Sequence, residues 1–507
     1  MSLSRRFIYF AGALLVAAAF GCDDGSNVGS GGTAPTTAPP GSTTPPRPGP
    51  TPPPVNNSTP DVDTGEHEPE DAGVDAGGEP DTFFDPDAST IDLDTDLDAD
   101  PALDSGPDAE PVEPATECEE QIRLNQNWTV DGAGATNQAG ARMVFDGAGI
   151  WTAYSRPVTS GSSERRIYAA RMGCQGTRLV SPVDMSRGKA DHVSAPAIAH
   201  SGDRIYVVWD QGGDDGDGEL YMRIYRVLGS IVTSEPVQVT PHINNTSFAS
   251  YAIEPSVAGL PGGGAVIAAS VSVGDRFRVV IQKIDDRGRR SGNALYVNDS
   301  TTVGDQSGPS VSVGSDGRIY VTYTQHSSSS GSQRVVFTSF GPTATRPSPL
   351  TPANAHPSIS PTALGVFSKA AALESPAPWL LFEVSGSRNE FIIRDGAAGS
   401  TSAYQSFGVG SRINLAPSID AGLSGGVVAW LTRTASGSFH QVQLQRFWTE
   451  EGALGRSSLV DVQSTAVGGG LFGTDVVHLY GNVYAVIWSE GTSEGQARLR
   501  LRYVTVP

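Results

Sequence analysis

Residues 309–325 read PSVSVGSDGRIYVTYTQ, with Ser315-Asp316-Gly317 between two runs of alternating apolar residues. A period of two marks a half-buried strand. Asp and Gly between two such runs supply a tight hairpin turn, glycine through its ready access to positive φ. Asp316 is therefore read as a turn residue and not as a metal ligand or catalytic acid. The same place holds Asp146-Gly147, Ser201-Gly202-Asp203 and Ser424-Gly425 elsewhere in the chain.

The hairpin is one copy of a repeat. The others are GARMVFDGAGIWTAYS (140–155), APAIAHSGDRIYVVWD (195–210), EPSVAGLPGGGAVIAAS (254–270), HPSIS…PWLLFEV (356–384), APSIDAGLSGGVVAWLT (416–432) and GTDVVHLYGNVYAVIWS (473–489). One slot near the end of each second strand holds Tyr154, Trp209, Ala269, Tyr323, Phe382, Trp430 and Trp488, at steps of 55, 60, 54, 59, 48 and 58 residues. A third alternating strand follows each copy, as in RRIYAARM, FRVVIQKID and ARLRLRYVTV, and most have a fourth, as in TRLVSPVDM and GNALYVND. No stretch shows a convincing helical period. Four antiparallel strands per unit, repeated around an axis, predict an all-β fold: a seven-bladed β-propeller of four-stranded antiparallel blades over residues 118–507.

The ends of the domain predict how the ring closes. The seventh copy has three strands before the chain reaches Pro507, and EEQIRLNQNWT (119–129) has the pattern of the missing fourth. The N-terminal strand is therefore expected to complete the last blade, with Gln121–Asn125 beside Leu499–Thr505, which removes an open sheet edge. Cys118 and Cys174 each precede a fourth strand, and a disulfide between them would pin the closing strand.

This blade pattern resembles that of sialidase-superfamily propellers, although the turn is not their Asp-box, which falls at a different hairpin. The resemblance implies that a sialidase-like glycoside hydrolase would need three arginines around a carboxylate, a nucleophilic Tyr with a Glu, and an acid/base Asp. The domain holds 28 arginines, many in alternation on strands, such as Arg498, Arg500 and Arg502. No triad can be assigned, so no catalytic residue carries over. The chain is read as a binding module for a protein or glycan partner, with hydrolase and envelope assembly module as the alternatives.

Charge divides the chain. The net charge is −21, yet residues 23–117 carry 23 acidic residues against Arg47 alone, while residues 118–507 hold 32 acidic and 31 basic residues. The near-neutral domain lacks the basic patch that nucleic-acid binding needs. Residues 23–117 are Pro/Thr-rich and then Asp-rich, with few large apolar residues, the composition of a disordered linker. In DLDTDLDAD (92–100) alternate carboxylates are read as a solvated acidic run.

Residues 1–22 have a targeting pattern: Arg5 and Arg6 before the 14-residue apolar run FIYFAGALLVAAAF. That run is short for a membrane span and suits a signal peptide. Ala19-Phe20-Gly21-Cys22 resembles the bacterial lipobox, which implies that Cys22 is diacylated and becomes the mature N-terminus. Cleavage near Ala19 of an ordinary signal peptide is the alternative. The reading gives a membrane-anchored cell-envelope lipoprotein, at the outer membrane or cell surface. Asp23 and Asp24 resemble an inner-membrane retention signal of some bacteria.

Propeller ligands usually sit where the loops between successive blades emerge over the channel. These loops carry Arg187, Lys189, His192, His242, Tyr251, Glu254, Asp305, His356, Arg412 and Asn414. In the Gly-rich stretch WDQGGDDGDGELY (209–221), Asp214, Asp215, Asp217 and Glu219 offer hard oxygen ligands for Ca²⁺, against the reading of a plain acidic loop. No other cofactor is expected, and the domain is read as monomeric.

Overall fold

The computed structural model describes residues between 118 and 507, excluding internal stretches of which the longest are 132–138, 343–350, 353–364, 372–378 and 396–403. The signal segment with Cys22 and the linker lie outside the described residues.

The domain is an all-β propeller with four-stranded antiparallel blades. The first sheet orders Ala139–Phe145, Gly149–Pro157, Arg165–Gly173 and Arg178–Asp184 from the inside outward. Three more follow the same consecutive plan: Ala252–Gly259 to Arg290–Tyr296, Gln306–Val313 to Thr351–Pro352, and Gly365–Ala371 to Tyr404–Phe407. Two sheets have five strands because one position is interrupted. In the second sheet His192–Val193 and Ala197–Ser201 both pair with Arg204–Gly212. In the sixth, Ala453–Arg456 and Val460–Thr465 both pair with His440–Glu450.

Six blades are thus continuous in sequence. The remaining sheet is composite: Gly470–Tyr480, Val483–Gly491 and Arg498–Thr505 take Asn127–Thr129 as their outer strand. The innermost strands pack on one another in chain order, and Gly470–Tyr480 packs on Ala139–Phe145, so the ring has no open edge. A two-stranded ribbon, His242–Ile243 with Thr246–Ser247, lies in the connection between the second and third sheets.

The closing strand is shorter and later than the sequence predicts. Asn127–Thr129 pairs antiparallel with Arg502–Arg500. The Asn125 amide adds a bond to the Tyr503 carbonyl at 2.9 Å, and the Val130 amide one to Leu499 at 3.2 Å. Residues 118–122 instead make a helical turn, in which the Gln121 and Ile122 amides both donate to the Cys118 carbonyl. The physical reason is the disulfide between Cys118 and Cys174, with Cα atoms 5.4 Å apart. It ties the start of the domain to the turn after the third strand of the first sheet. The Trp128 ring fills the space over Gly176 (φ +75°), where a Cβ would come within 2.0 Å of the indole. The fifth unit is also displaced. Its innermost strand is Gly365–Ala371 and not the segment at 356–360.

The core lies in the seams between sheets. Each described apolar cluster joins neighbours: Trp151 and Ile167 with Trp209 and Tyr225, or Ala268 and Ile281 with Val311 and Tyr323. The slot residues Tyr154, Trp209, Ala269, Tyr323, Trp430 and Trp488 are all buried there. Fully burying each aromatic is worth about 1.5–3 kcal/mol by area, which explains the repeat at that position. The Phe382 side chain lies outside the described residues.

Asp316 does what its sequence context predicts. Its Oδ1 accepts from the Arg318 amide at 2.9 Å, and Gly317 adopts φ +76°. Asp146 does more. It accepts from the Ala148 and Gly149 amides, and its carboxylate forms a two-point ion pair with Arg171, Nε–Oδ2 2.7 Å and Nη2–Oδ1 3.1 Å.

Candidate functional site

The innermost strands all begin at one end of the ring, where each second strand ends; this end is the rim. Just inside it, the pairing of six innermost strands slips, at Ala139/Arg142, Ile253/Ser256, Ser307/Ser310, Gly365/Ser368, Leu415/Ser418 and Phe472/Thr474. Such bulges re-aim backbone groups. At five of them the turning residue is left-handed: Gly140 (φ 63°), Glu254 (56°), Gly308 (57°), Ala416 (48°) and Gly473 (57°). Glycine accepts this at no steric cost; Glu254 and Ala416 hold it under strain.

The bulges turn amides toward the preceding sheet. The Gly308 amide donates to Glu254 Oε2 at 2.7 Å, and the Glu254 amide donates to Asp210 Oδ2 at 3.2 Å. Ser270 Oγ donates to the same Glu254 oxygen at 3.2 Å. Further along the strands, the Met143 amide donates to Asp475, the Val311 amide to Ser256, and the His478 amide to Asp420. Side chains of one sheet thereby hold the backbone of the next.

The predicted residues fare differently. Glu254 and Asp305 come together at the boundary of the third and fourth sheets. Asp305 Oδ1 accepts from the Phe277 amide at 3.0 Å, and its carbonyl accepts from the His326 amide at 2.8 Å. Two residues absent from the sequence reading complete this sector: His326 Nε2 and Ser307 Oγ hydrogen-bond at 3.0 Å. Burial pushes the His326 imidazole below its usual pKa despite the carboxylates of Asp305 and Glu254, so the ring is neutral near pH 7. Signals for this pair were weak: Ser307 and His326 are 19 residues apart on separate strands.

Asn414 is 1% exposed and packs on Gly408, where a Cβ would meet its Nδ2 at 2.6 Å, so it lies beneath the surface. Arg187 is exposed and left-handed (φ 50°). It donates to the Ser234 carbonyl and pairs with Glu235, which directs it along the outside of the second sheet and away from the channel. His192 pairs with Gly212 on an innermost strand, and His242 sits in the ribbon opposite Ser247. Lys189, Tyr251, His356 and Arg412 lie outside the described residues.

Asp214, Asp215 and Asp217 also lie outside them. Glu219 is described, and both its oxygens are engaged, by Tyr221 Oη at 2.7 Å and Gln238 Nε2 at 2.6 Å. Among the described residues no group of three His, Cys, Asp or Glu side chains is placed to hold a metal ion.

A second polar sector stands where the ring closes. Asp131, 3% exposed, accepts from Tyr154 Oη at 2.9 Å and from Arg156 Nη1. Burial and the adjacent Asp131 carboxylate push the Tyr154 phenol far above its usual pKa. Arg156 stacks over the Tyr168 ring at 3.8 Å. Among the described residues the rim thus offers acceptors, hydroxyls, the Arg156 guanidinium and the His326 imidazole, held by contacts within and between sheets.

The fold and rim define an all-β propeller. No family model matches the chain, and no curated protein does so. Among solved structures, it is similar to the polysaccharide lyase Uly1 at 11% identity and a TM-score of 0.48, over 77% of this chain and 95% of that one. A protein of unknown function from Dyadobacter fermentans aligns at 10% identity and TM-score 0.44, over 76% and 100% of the two chains. The Trypanosoma rangeli sialidase aligns at 12% identity and TM-score 0.44, over 64% and 58%. Likenesses this distant carry no activity over; the fold rests on the strand pairing itself.

Proposed function

We propose that the protein is a lipid-anchored cell-envelope propeller that binds a glycan or protein partner through its rim. The observation that carries this reading is the sector of Glu254, Ser270, Asp305, Ser307 and His326. Its acceptors and donors are oriented by backbone amides of the neighbouring sheet, such as Gly308 onto Glu254 at 2.7 Å. Groups fixed before binding lose little entropy on engagement. Closely set hydroxyl, imidazole and carboxylate groups match the alternating donors and acceptors of a sugar better than an apolar peptide surface, so a glycan is the favoured partner.

Anchoring through acylated Cys22 places the propeller on the membrane, with the acidic linker as a spacer and the outer membrane or cell surface as its site. Two acyl chains hold a protein stably where one is marginal.

The test is a binding screen of envelope glycans and envelope proteins against the full chain and its Ser307→Ala and His326→Ala variants. Wild-type binding of a glycan, weakened at least tenfold in both variants, supports the reading. Binding that both variants retain places the partner elsewhere. Turnover of a bound glycan would instead reveal a hydrolase. Fatty-acid labelling lost in Cys22→Ala checks the anchor separately.

A further inference from the structure

Three described arginines are more than nine-tenths buried: Arg171 (6% exposed), Arg223 (3%) and Arg278 (8%). Two are neutralised or fully engaged. Arg171 meets the Asp146 carboxylate. Arg223 donates to the carbonyls of Thr233, Asp184 and Ser234 and lies over the Tyr225 ring. Arg278 differs: its Nη1 is buried and meets no hydrogen-bond partner.

Its position is fixed by the strand. Arg278 stands near the rim end of Arg276–Ile284, opposite Val271 on the neighbouring strand. Alternate residues of a strand share a face. Arg278 therefore shares the face of Val280 and Ile284, whose cluster joins Leu220, Met222 and Val239 of the second sheet to Ala269 and Val271 of the third. That face is apolar apart from the buried Gln282, and Arg278 Nη1 is buried on it. Tyr296, partly buried against that cluster, is close enough for its phenol to sense the Arg278 charge.

A guanidinium in apolar surroundings is unfavourable unless a counter-charge accompanies it. Water would satisfy the N–H but leave the guanidinium without an ion-pair partner among the described residues. We infer that Arg278 holds a compact monovalent anion, a halide or a formate-sized carboxylate, at the rim end of the seam between the second and third sheets. Nη1 is buried, so only a small ligand could reach it. The anion would lock two sheets together beside the proposed binding sector, and it is independent of any glycan.

Chlorine NMR line widths and thermal unfolding of the full chain test this, with chloride, formate and sulfate salts at matched ionic strength. Chloride should show saturable line broadening that formate competes away. The unfolding midpoint should rise by at least about 2 °C with chloride or formate and not with sulfate. Arg278→Gln should abolish both effects. A wild-type midpoint that follows ionic strength alone, or chloride broadening retained in Arg278→Gln, overturns the site. Should that variant not fold, the wild-type line width decides: absence of saturable broadening that formate displaces is equally fatal.

Discussion

The Gly308 amide reaches across a sheet boundary to donate to Glu254 Oε2 at 2.7 Å. Both residues are left-handed and occupy the same bulge position in successive sheets. The rim is therefore built by backbone geometry as much as by side-chain identity, and each sheet supplies the acceptor that the next one needs.

Removing that acceptor should loosen the boundary. Glu254→Ala is expected to lower unfolding free energy by about 1–2 kcal/mol, the range for a lost charged acceptor at a partly exposed site. Urea denaturation measures it. Ala416, at φ 48°, occupies the equivalent bulge, and its methyl group offers no acceptor. Ala416→Gly should relieve strain and raise stability by up to about 1 kcal/mol. A loss there would show that the left-handed backbone is not strained.

Breaking the Asp146–Arg171 pair should cost far more. Its side chains are 0% and 7% exposed, so either partner left alone is an uncompensated charge. Arg171→Met is expected to destabilise by about 3–5 kcal/mol. Replacing both residues by apolar ones should recover most of that loss, and a double-mutant cycle reads the coupling.

Asp420 gives the fold a pH signature. Desolvation by burial raises its pKa from 3.8 to about 6, against the amides of His478 and Ala421, which favour the ionised form; Asp475 also raises it. The folded state thus holds the proton more tightly than the unfolded chain. Its contribution is fully present below about pH 4 and is lost as pH rises to about 6, a change of about 3 kcal/mol. The difference in stability between wild type and Asp420→Asn, followed from pH 4 to 7, should trace this loss. A pH-independent difference would refute it.

The Cys118–Cys174 bond spans 56 residues. In the chain-entropy account its removal costs about 4 kcal/mol. Cys174→Ser and reduction of the wild type should lower the unfolding midpoint equally, and a reductant should have no further effect on the variant. Because the bond anchors the segment before Asn127–Thr129, protease sensitivity should first rise around residues 118–130.

Much of this was legible in the chain. Buried aromatics at a repeated slot, Asp and Gly in the hairpins, and two cysteines before outer strands follow from local chemistry and spacing. Where the sequence misled, long-range constraints won. The anchored Cys118 displaced the closing strand toward Asn127, and the inner strand of the fifth unit lies at Gly365–Ala371 although the Pro-Ser pattern sits earlier. Neither Glu254 nor Ala416 carries a local signal for a left-handed backbone.

The sequence by itself determined the alternation of strands and the four-stranded antiparallel plan of the blades, because side-chain period and turn chemistry act between near neighbours. The tertiary structure alone decided which polar groups meet: His326 with Ser307 and Glu254 with Gly308, while Arg278 Nη1 is left without a hydrogen-bond partner. Those outcomes depend on which faces the ring brings into each seam, and seam partners such as Met143 and Asp475 are separated by as many as 332 residues.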